Sequence, residues 1–167
     1  VMYEACQMGT LEVAYGTSSV LANFDSKLKV LDLPFLFENE DAARKAVNGK
    51  LGEAAAEGLE DIGLVKLTYL ENGMRMITNS ARPINTPDDL KGLKIRTMEN
   101  DIHMKAFELL GASPTPMAFT ELFTALQQKT VDAQENPIFL IQTSRFDEVQ
   151  KYLSLTGHLY TSGVVTI

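Results

Sequence analysis

The sequence predicts an α/β fold with two lobes, and two observations in its second half support this most directly. Residues 93–96 alternate apolar and charged side chains, as in a strand with one buried face, and helix-capping residues follow at once. A second short strand, predicted over 131–134, also leads into a predicted helix. Strands that alternate with helices are typical of a sheet covered by helices, so we expect an α/β architecture.

The first strand–helix unit is centred on Arg96. Gly92 marks the turn into the strand, and Arg96 lies at the carboxyl end of the strand. The next helix is expected to begin within residues 99–101, and its predicted apolar stripe consists of Ile102, Phe107, Leu109 and Leu110. Ligands of open α/β sheets bind beyond the carboxyl ends of the strands, so Arg96 is placed to meet an anion.

Two further side chains are expected at the same edge of the sheet. Asn136 precedes Pro137, and this pair predicts a helix start with Asn136 as the cap. If the strand over 131–134 runs parallel to that of Arg96, Asn136 emerges beside the guanidinium. The segment that leads into the intervening helix brings Phe119 to this edge as well.

The other elements are predicted from local patterns. Residues 41–61 are rich in Ala, Lys, Leu and Glu, which predicts one long helix, and a helix is also predicted over 1–8. A turn is predicted at Asn72-Gly73, and residues 16–19 are expected to form a loop after a strand. Alternating patterns predict further strands over 11–15, 65–70, 74–78, 152–156 and 160–167.

These elements divide into two predicted lobes. Residues 1–72 are expected to form part of the first lobe and residues 73–158 the second lobe. Residues 159–167 are expected to form a crossover strand back toward the first lobe.

Composition excludes several classes of partner. The 167 residues are 45% apolar, which is enough for a core, and the net charge of −7 argues against nucleic acid or an anionic membrane surface as partners. No apolar run reaches the length of a membrane span, so no direct membrane insertion is expected. The single cysteine, Cys6, excludes an intrachain disulfide, and no signal peptide is visible.

The sequence also lacks the patterns of common catalytic and metal sites. His103 and His158 lie far apart, with no Cys or paired carboxylate at ligand spacing, so no metal site is expected. There is no Ser–His–Asp constellation, glycine-rich phosphate loop or Gly-x-Ser-x-Gly elbow. We therefore expect no catalytic residues and no cofactor.

Six runs of the sequence resemble the solute receptors of tripartite ATP-independent periplasmic (TRAP) transporters, of the C4-dicarboxylate-binding type. The runs are LDLPF at 31–35, NSARPI at 79–84, LKGLKIR at 90–96, GASPTPMAF at 111–119, QENP at 134–137 and FDEVQKY at 146–152. Members of this family are longer, so the chain resembles an internal fragment that is incomplete at both ends.

The resemblance implies a two-lobed periplasmic-binding-protein-like fold that binds a small organic acid between its lobes. The lobes of such receptors close over the ligand by hinge motion, and the receptor delivers the ligand to the membrane permease subunits of the transporter. It also implies a periplasmic location and a binding protein rather than an enzyme.

The resemblance assigns ligand contacts to six residues of this sequence. Arg96 would clamp the ligand carboxylate through two parallel hydrogen bonds, a geometry that lysine cannot provide. The other implied contacts are the second arginine Arg75, the amide of Asn136, the aromatic ring of Phe119, and Thr17 and Ser18 from the first lobe. Glu135 and Gln134 are expected to be structural.

Two alternative functions remain open at the level of sequence. An α/β enzyme acting on a carboxylic acid would need a general base or cofactor motif, and none is found. The effector domain of a transcription regulator would need a basic helix-turn-helix segment, which is absent from this chain. The particular acid also stays open, because dicarboxylates, sugar acids, keto acids and aromatic acids would all use an arginine clamp.

Overall fold

The computed structural model describes residues 2–167, so Val1, at which the first predicted helix starts, lies outside the described residues. The elements are α1 Met2–Gln7, β1 Ala14–Thr17, α2 Ser18–Leu21, α3 Glu40–Val47, α4 Lys50–Ala56, β2 Lys66–Asn79, β3 Lys94–Thr97, α5 Asp101–Leu109, β4 Ser113–Pro116, α6 Phe119–Gln127, β5 Ala133–Pro137, α7 Ile138–Thr143 and β6 Tyr152–Thr166. Short 3₁₀ turns cover Ser26–Asp32, Glu60–Ile62, Pro87–Leu90 and Phe146–Glu148. Over the described part of the chain, no helix is long and apolar enough to cross a membrane.

The chain forms two compact units. The first contains the residues up to Gly73 together with Leu159–Ile167, and the second contains Met74–His158. The strands β2 and β6 contribute residues to both units. The assignment of residues 1–72, 73–158 and 159–167 to the lobes of a complete receptor stays a prediction.

In the first unit, β1 pairs antiparallel with the end of β6, so that Ala14 lies opposite Thr166 and Thr17 opposite Gly163. Helix α1 packs on this pair, and the hydroxyl of its Tyr3 donates to the carbonyl of Val164 at 3.2 Å. The strand β1 begins three residues later and ends two residues later than the strand predicted over 11–15.

The predicted long helix over 41–61 is wrong, because the chain breaks between α3 and α4. Asn48 ends α3, with its backbone N–H and its side-chain amide both donating to the carbonyl of Arg44 at 3.0 Å. Gly49 is extended and precedes the first residue of α4. High helix propensity therefore gives two short helices, because Asn and Gly at 48–49 favour a cap over a continuing turn.

The turn predicted at Asn72-Gly73 is also wrong, since β2 continues through it. The Asn72 side-chain amide donates to the Thr161 hydroxyl at 3.0 Å, and Gly73 takes a φ of +107° within the strand. The strand β6 likewise continues through Gly157, which has a φ of +52°. Both glycines provide a local backbone irregularity inside a strand, which a sequence pattern cannot distinguish from a turn.

The sheet of the second unit explains how polar side chains from separate segments meet. β2 pairs antiparallel with β5, β5 pairs parallel with β3, and β3 pairs parallel with β4. Arg96 lies opposite Gln134 of β5 and Thr115 of β4. The expected parallel pairing of the Arg96 strand with the strand before Asn136 is therefore confirmed.

Two apolar clusters pack on this sheet. One contains Ile77, Leu90, Leu93, Ile95, Phe107, Ala112 and Ala133, and the other contains Leu122, Ala125, Leu126, Val131, Ile141 and Phe146. Because successive strand residues point to opposite faces, Arg96 points away from the cluster that contains Ile95. Leu109, which was predicted in the apolar stripe of α5, is 77% exposed and does not belong to that stripe, whereas Leu110 packs against the first cluster.

Candidate ligand-binding site

Arg96 is a buried cation with an incomplete set of partners. It lies near the end of β3 with only 2% of its surface exposed. Its Nε and Nη2 both donate to the carbonyl oxygen of Met117, at 2.9 and 2.6 Å. Its Nη1 is buried and has no hydrogen-bond partner among residues 2–167. One edge of the guanidinium is therefore held by the backbone, and the edge formed by Nη1 and Nη2 remains available.

The electrostatic surroundings of Arg96 favour an anion beside it. Burial lowers the pKa of Arg96 to about 10, with Glu135 opposing this shift and the positive charge of Arg75 adding to it. The side chain therefore remains charged at neutral pH. A buried charge that is bonded only to a neutral carbonyl is costly unless a counter-ion completes it, so the site is suited to a carboxylate.

Arg75, by contrast, already has an anionic partner. Its Nη2 donates to Glu135 Oε1 at 2.9 Å, and its Nε contacts Glu135 Oε2 closely. Nη2 also donates to the backbone carbonyl of Glu135 at 2.5 Å and to Asn136 Oδ1 at 3.1 Å. Both charged side chains are fully buried. The guanidinium is thus committed to protein groups, and the predicted ligand contact of Arg75 stays a prediction.

Glu135 is ionised although it is buried. Burial alone raises the pKa of its carboxyl group, but the charge of Arg75 and the hydrogen bonds from His158 and Arg75 outweigh burial and hold that pKa well below its usual range. His158 Nε2 lies 3.3 Å from Glu135 Oε2, and because an ionised carboxylate only accepts, Nε2 is the donor. The ring is held by Thr156 Oγ1, 2.8 Å from Nδ1, and by edge-on contact with Phe107.

Asn136 lies in a strand, which corrects the prediction that it caps a helix. It pairs with Met76 across the β2–β5 ladder, and α7 begins only after Pro137. Its side chain is therefore free of the capping role and joins the buried polar groups instead. Its Nδ2 donates to Gln134 Oε1 at 2.6 Å, and its Oδ1 accepts from Arg75.

Phe119 is the first residue of α6 and is 43% exposed. Its ring meets Phe146 edge-on, with 6.0 Å between ring centroids. It follows Met117, the carbonyl of which anchors Arg96, by two residues. Phe119 is thus partly supported by the core and partly open, and its predicted ligand contact stays a prediction.

Thr17 and Ser18 belong to the first unit, and the loop expected over 16–19 is wrong. Gly16 and Thr17 complete β1, while Ser18 starts α2, for which Thr17 Oγ1 accepts the N–H of Val20 at 3.4 Å. The helix starts here because Thr17, the last residue of the strand, also caps the helix. Ser18 is buried. The predicted ligand contacts of Thr17 and Ser18 stay predictions.

The structure brings Arg75 and Asn136 into direct contact and adds Glu135 and His158, which sequence reasoning did not place in the site. The available signal was the need of a buried arginine for an acid, together with a glutamate beside Asn136 in the sequence. Across the described residues, no group of three or more His, Cys, Asp and Glu side chains is arranged to hold a metal ion.

Comparison with known proteins identifies the relatives of this chain. Residues 1–167 match the family described as "Bacterial extracellular solute-binding protein, family 7". The 2,3-diketo-L-gulonate-binding periplasmic protein of Escherichia coli is 43% identical over 166 residues, which are 99% of this chain and 51% of that protein. The chain thus spans about half the length of the curated relatives it matches.

Solved structures give the same result. A TRAP periplasmic solute-binding protein from Polaromonas, bound to D-erythronate, has a TM-score of 0.97 and 48% identity over 99% of this chain and 55% of that chain. The sugar-acid-binding protein of Advenella mimigardefordensis, in complex with galactonate, has a TM-score of 0.94 and 45% identity over 98% of this chain and 53% of that chain.

Proposed function

Because the chain belongs to the bacterial extracellular solute-binding proteins of family 7, we propose that it forms part of the extracytoplasmic solute receptor of a TRAP transporter. The receptor binds a small organic acid and hands it unchanged to the membrane permease subunits of the transporter. Its place of action is the periplasm. The observation that carries the proposal is the buried guanidinium of Arg96, the Nη1 of which has no hydrogen-bond partner among the described residues.

The open edge of Arg96 matches the geometry of a carboxylate. Nη1 and Nη2 can form two parallel hydrogen bonds to the two carboxylate oxygens, while Met117 holds the opposite edge of the guanidinium in place. The ligand carboxylate supplies the counter-ion that Arg96 lacks, so binding relieves the cost of the buried charge. Arg75, Asn136, Phe119, Thr17 and Ser18 are proposed as additional contacts.

The relatives favour a hydroxylated monocarboxylate as the ligand. Proteins at 43–48% identity bind 2,3-diketo-L-gulonate, D-erythronate and galactonate, all of which are sugar acids. We therefore expect a sugar acid to bind more tightly than a plain C4-dicarboxylate such as succinate. A thermal-shift screen of these four acids on the complete receptor identifies the best ligand, because ligand at about 100 times its dissociation constant adds about 2.7 kcal/mol of stability.

The decisive test replaces Arg96. In the complete receptor, Arg96→Lys keeps the charge but removes the fork, so we expect it to bind the best of these acids at least about tenfold more weakly, nearly as poorly as Arg96→Ala. Isothermal titration calorimetry measures the three dissociation constants.

The matched control is Arg82→Lys. Arg82 is an exposed arginine that also donates to backbone carbonyls, those of Asp89 and Lys91, so its replacement should leave affinity unchanged. Wild-type affinity in a folded Arg96→Lys variant would reject the clamp. Failure of the wild-type receptor to bind any carboxylate would reject the proposed function itself.

A further inference from the structure

A chain of buried hydrogen bonds leads from Asn136 to the far end of its strand pair. Asn136 Nδ2 donates to Gln134 Oε1 at 2.6 Å, and Gln134 Nε2 donates to Thr78 Oγ1 at 2.8 Å. The Thr78 hydroxyl in turn donates to Gln150 Oε1 at 3.0 Å. All four side chains are buried. These hydrogen bonds connect β5, β2 and the loop before β6 through side chains alone, and none of the four side chains is charged.

The direction of every bond in this chain is fixed by its two ends. At one end, Gln150 Nε2 faces the backbone carbonyls of Val149 and Asp132, at 3.2 and 3.4 Å, and carbonyls only accept. At the other end, Asn136 Oδ1 faces Arg75 Nη2, and a guanidinium only donates. If the side-chain amide of Asn136, Gln134 or Gln150 were turned over, two donors or two acceptors would face each other.

The Asn136 side chain therefore has one N–H group available for a further hydrogen bond. Its oxygen is used by Arg75, and one of its two N–H bonds is used by Gln134. The second N–H has no protein partner in the described chain. Asn136 lies on β5, two residues after Gln134, which pairs with Arg96. Because the amide cannot turn over, this remaining group is always a hydrogen-bond donor.

We propose that Thr78, Gln134 and Gln150 are positioning residues that lock the Asn136 amide with a donor toward the ligand. The proposal rests on the proposed function, because it requires that a carboxylate binds beside Arg96. Its consequence is selectivity: the locked N–H complements an anionic oxygen and rejects a neutral amide or protonated acid that presents a donor at the same place.

The test compares Thr78→Val with Thr78→Ser in the complete receptor. Valine keeps the shape of threonine but removes the hydroxyl that joins Gln134 to Gln150, whereas serine keeps the hydroxyl and loses only a methyl group. With D-erythronate and galactonate as probes, we expect affinity for the tighter binder to fall about fivefold or more in Thr78→Val and to stay within about twofold of wild type in Thr78→Ser.

A second measurement separates orientation from general loss of stability. The side-chain amide of Asn136, assigned in ¹H–¹⁵N spectra by its disappearance in Asn136→Asp, should be sharp and slowly exchanging in wild type and Thr78→Ser. In Thr78→Val it should broaden or shift. If Thr78→Val does not fold, Gln134→Met interrupts the same series of hydrogen bonds at the neighbouring residue. Ligand affinity and the Asn136 amide signal are then measured in that variant.

The outcomes are distinct. Equal affinity and an unchanged Asn136 signal in a folded Thr78→Val variant would overturn the proposal while leaving the proposed function intact. Equal losses in Thr78→Val and Thr78→Ser would also overturn it, because packing of the methyl group would then be responsible. A wild-type receptor that binds neither D-erythronate nor galactonate, nor any other carboxylate, would reject the proposed function and this proposal with it.

Discussion

Two arginines of the second unit are equally buried but have different partners. Arg75 faces the carboxylate of Glu135 across the β2–β5 pair, whereas within the described residues the hydrogen bonds of Arg96 go to the carbonyl of Met117. Sequence reasoning treated both as ligand contacts, because the family resemblance implies a ligand-facing arginine at each position. The difference arises from the register of β2 against β5, which places Glu135 opposite Ile77 and within reach of Arg75.

The ionised state of Glu135 makes acid stability depend on this pair. The native pKa is depressed, whereas in the unfolded chain it returns to about 4.3, so the unfolded state binds more protons as the pH falls below about 5. The stabilisation is therefore present above that pH and is lost progressively as the pH falls toward the native pKa. We expect Glu135→Gln to be less stable at pH 7, by about 3–5 kcal/mol, and to show a flatter acid dependence.

Urea denaturation of the complete receptor between pH 3 and pH 7 measures both effects. The control is Glu148→Gln, which removes an exposed glutamate that pairs with the exposed Arg145. It should keep the acid dependence of wild type, since exposed pairs contribute little. An acid dependence in Glu135→Gln as steep as that of wild type would contradict the assignment.

Among the elements, a strong local signal was correct in one case and wrong in another. The strand of Arg96 and the helix after it lie where expected, because Asn100 caps α5 by accepting from the N–H groups of Ile102 and His103. Asn136 carried an equally strong capping signal, yet β5 extends through it. Pairing with β2 decides its conformation, and pairing cannot be read from the local pattern.

Helix α4 gives a prediction at the scale of one element. Helix propensity alone predicts that Gly52→Ala stabilises α4 by about 1 kcal/mol. A Cβ at Gly52, however, would lie 1.7 Å from the carbonyl oxygen of Val47 and 3.0 Å from the Tyr69 ring. We therefore expect Gly52→Ala to lower the free energy of unfolding by about 1–3 kcal/mol, measured by urea denaturation.

Ala54→Gly is the comparison for this change. Ala54 is exposed in the same helix, so its replacement should cost only the propensity difference of about 1 kcal/mol. A Gly52→Ala protein as stable as wild type would mean that the turn between α3 and α4 shifts to make room.

At the scale of the whole molecule, the chain covers about half of its relatives, and the predicted hinge closure belongs to the complete receptor. A ligand that contacts residues of both lobes binds the closed form better than the open form, so it shifts the population toward the closed form. Small-angle X-ray scattering should therefore show a smaller radius of gyration at saturating sugar acid. The Arg96→Ala variant at the same ligand concentration is the control, and an unchanged radius in saturated wild type would reject hinge closure.

The pairing of Arg75 with Glu135 also determines how many charges the site can accept. Those two groups cancel, so the buried charges of β2, β3 and β5 leave a single positive charge, that of Arg96. A monoanion makes this interior electrically neutral without taking up or releasing a proton. A dianion leaves one negative charge uncompensated by these strands, which must then be met by a proton, by solvent or by a cation elsewhere in the receptor. We therefore expect the net charge of a small acid, as well as its shape, to affect how tightly the complete receptor binds it.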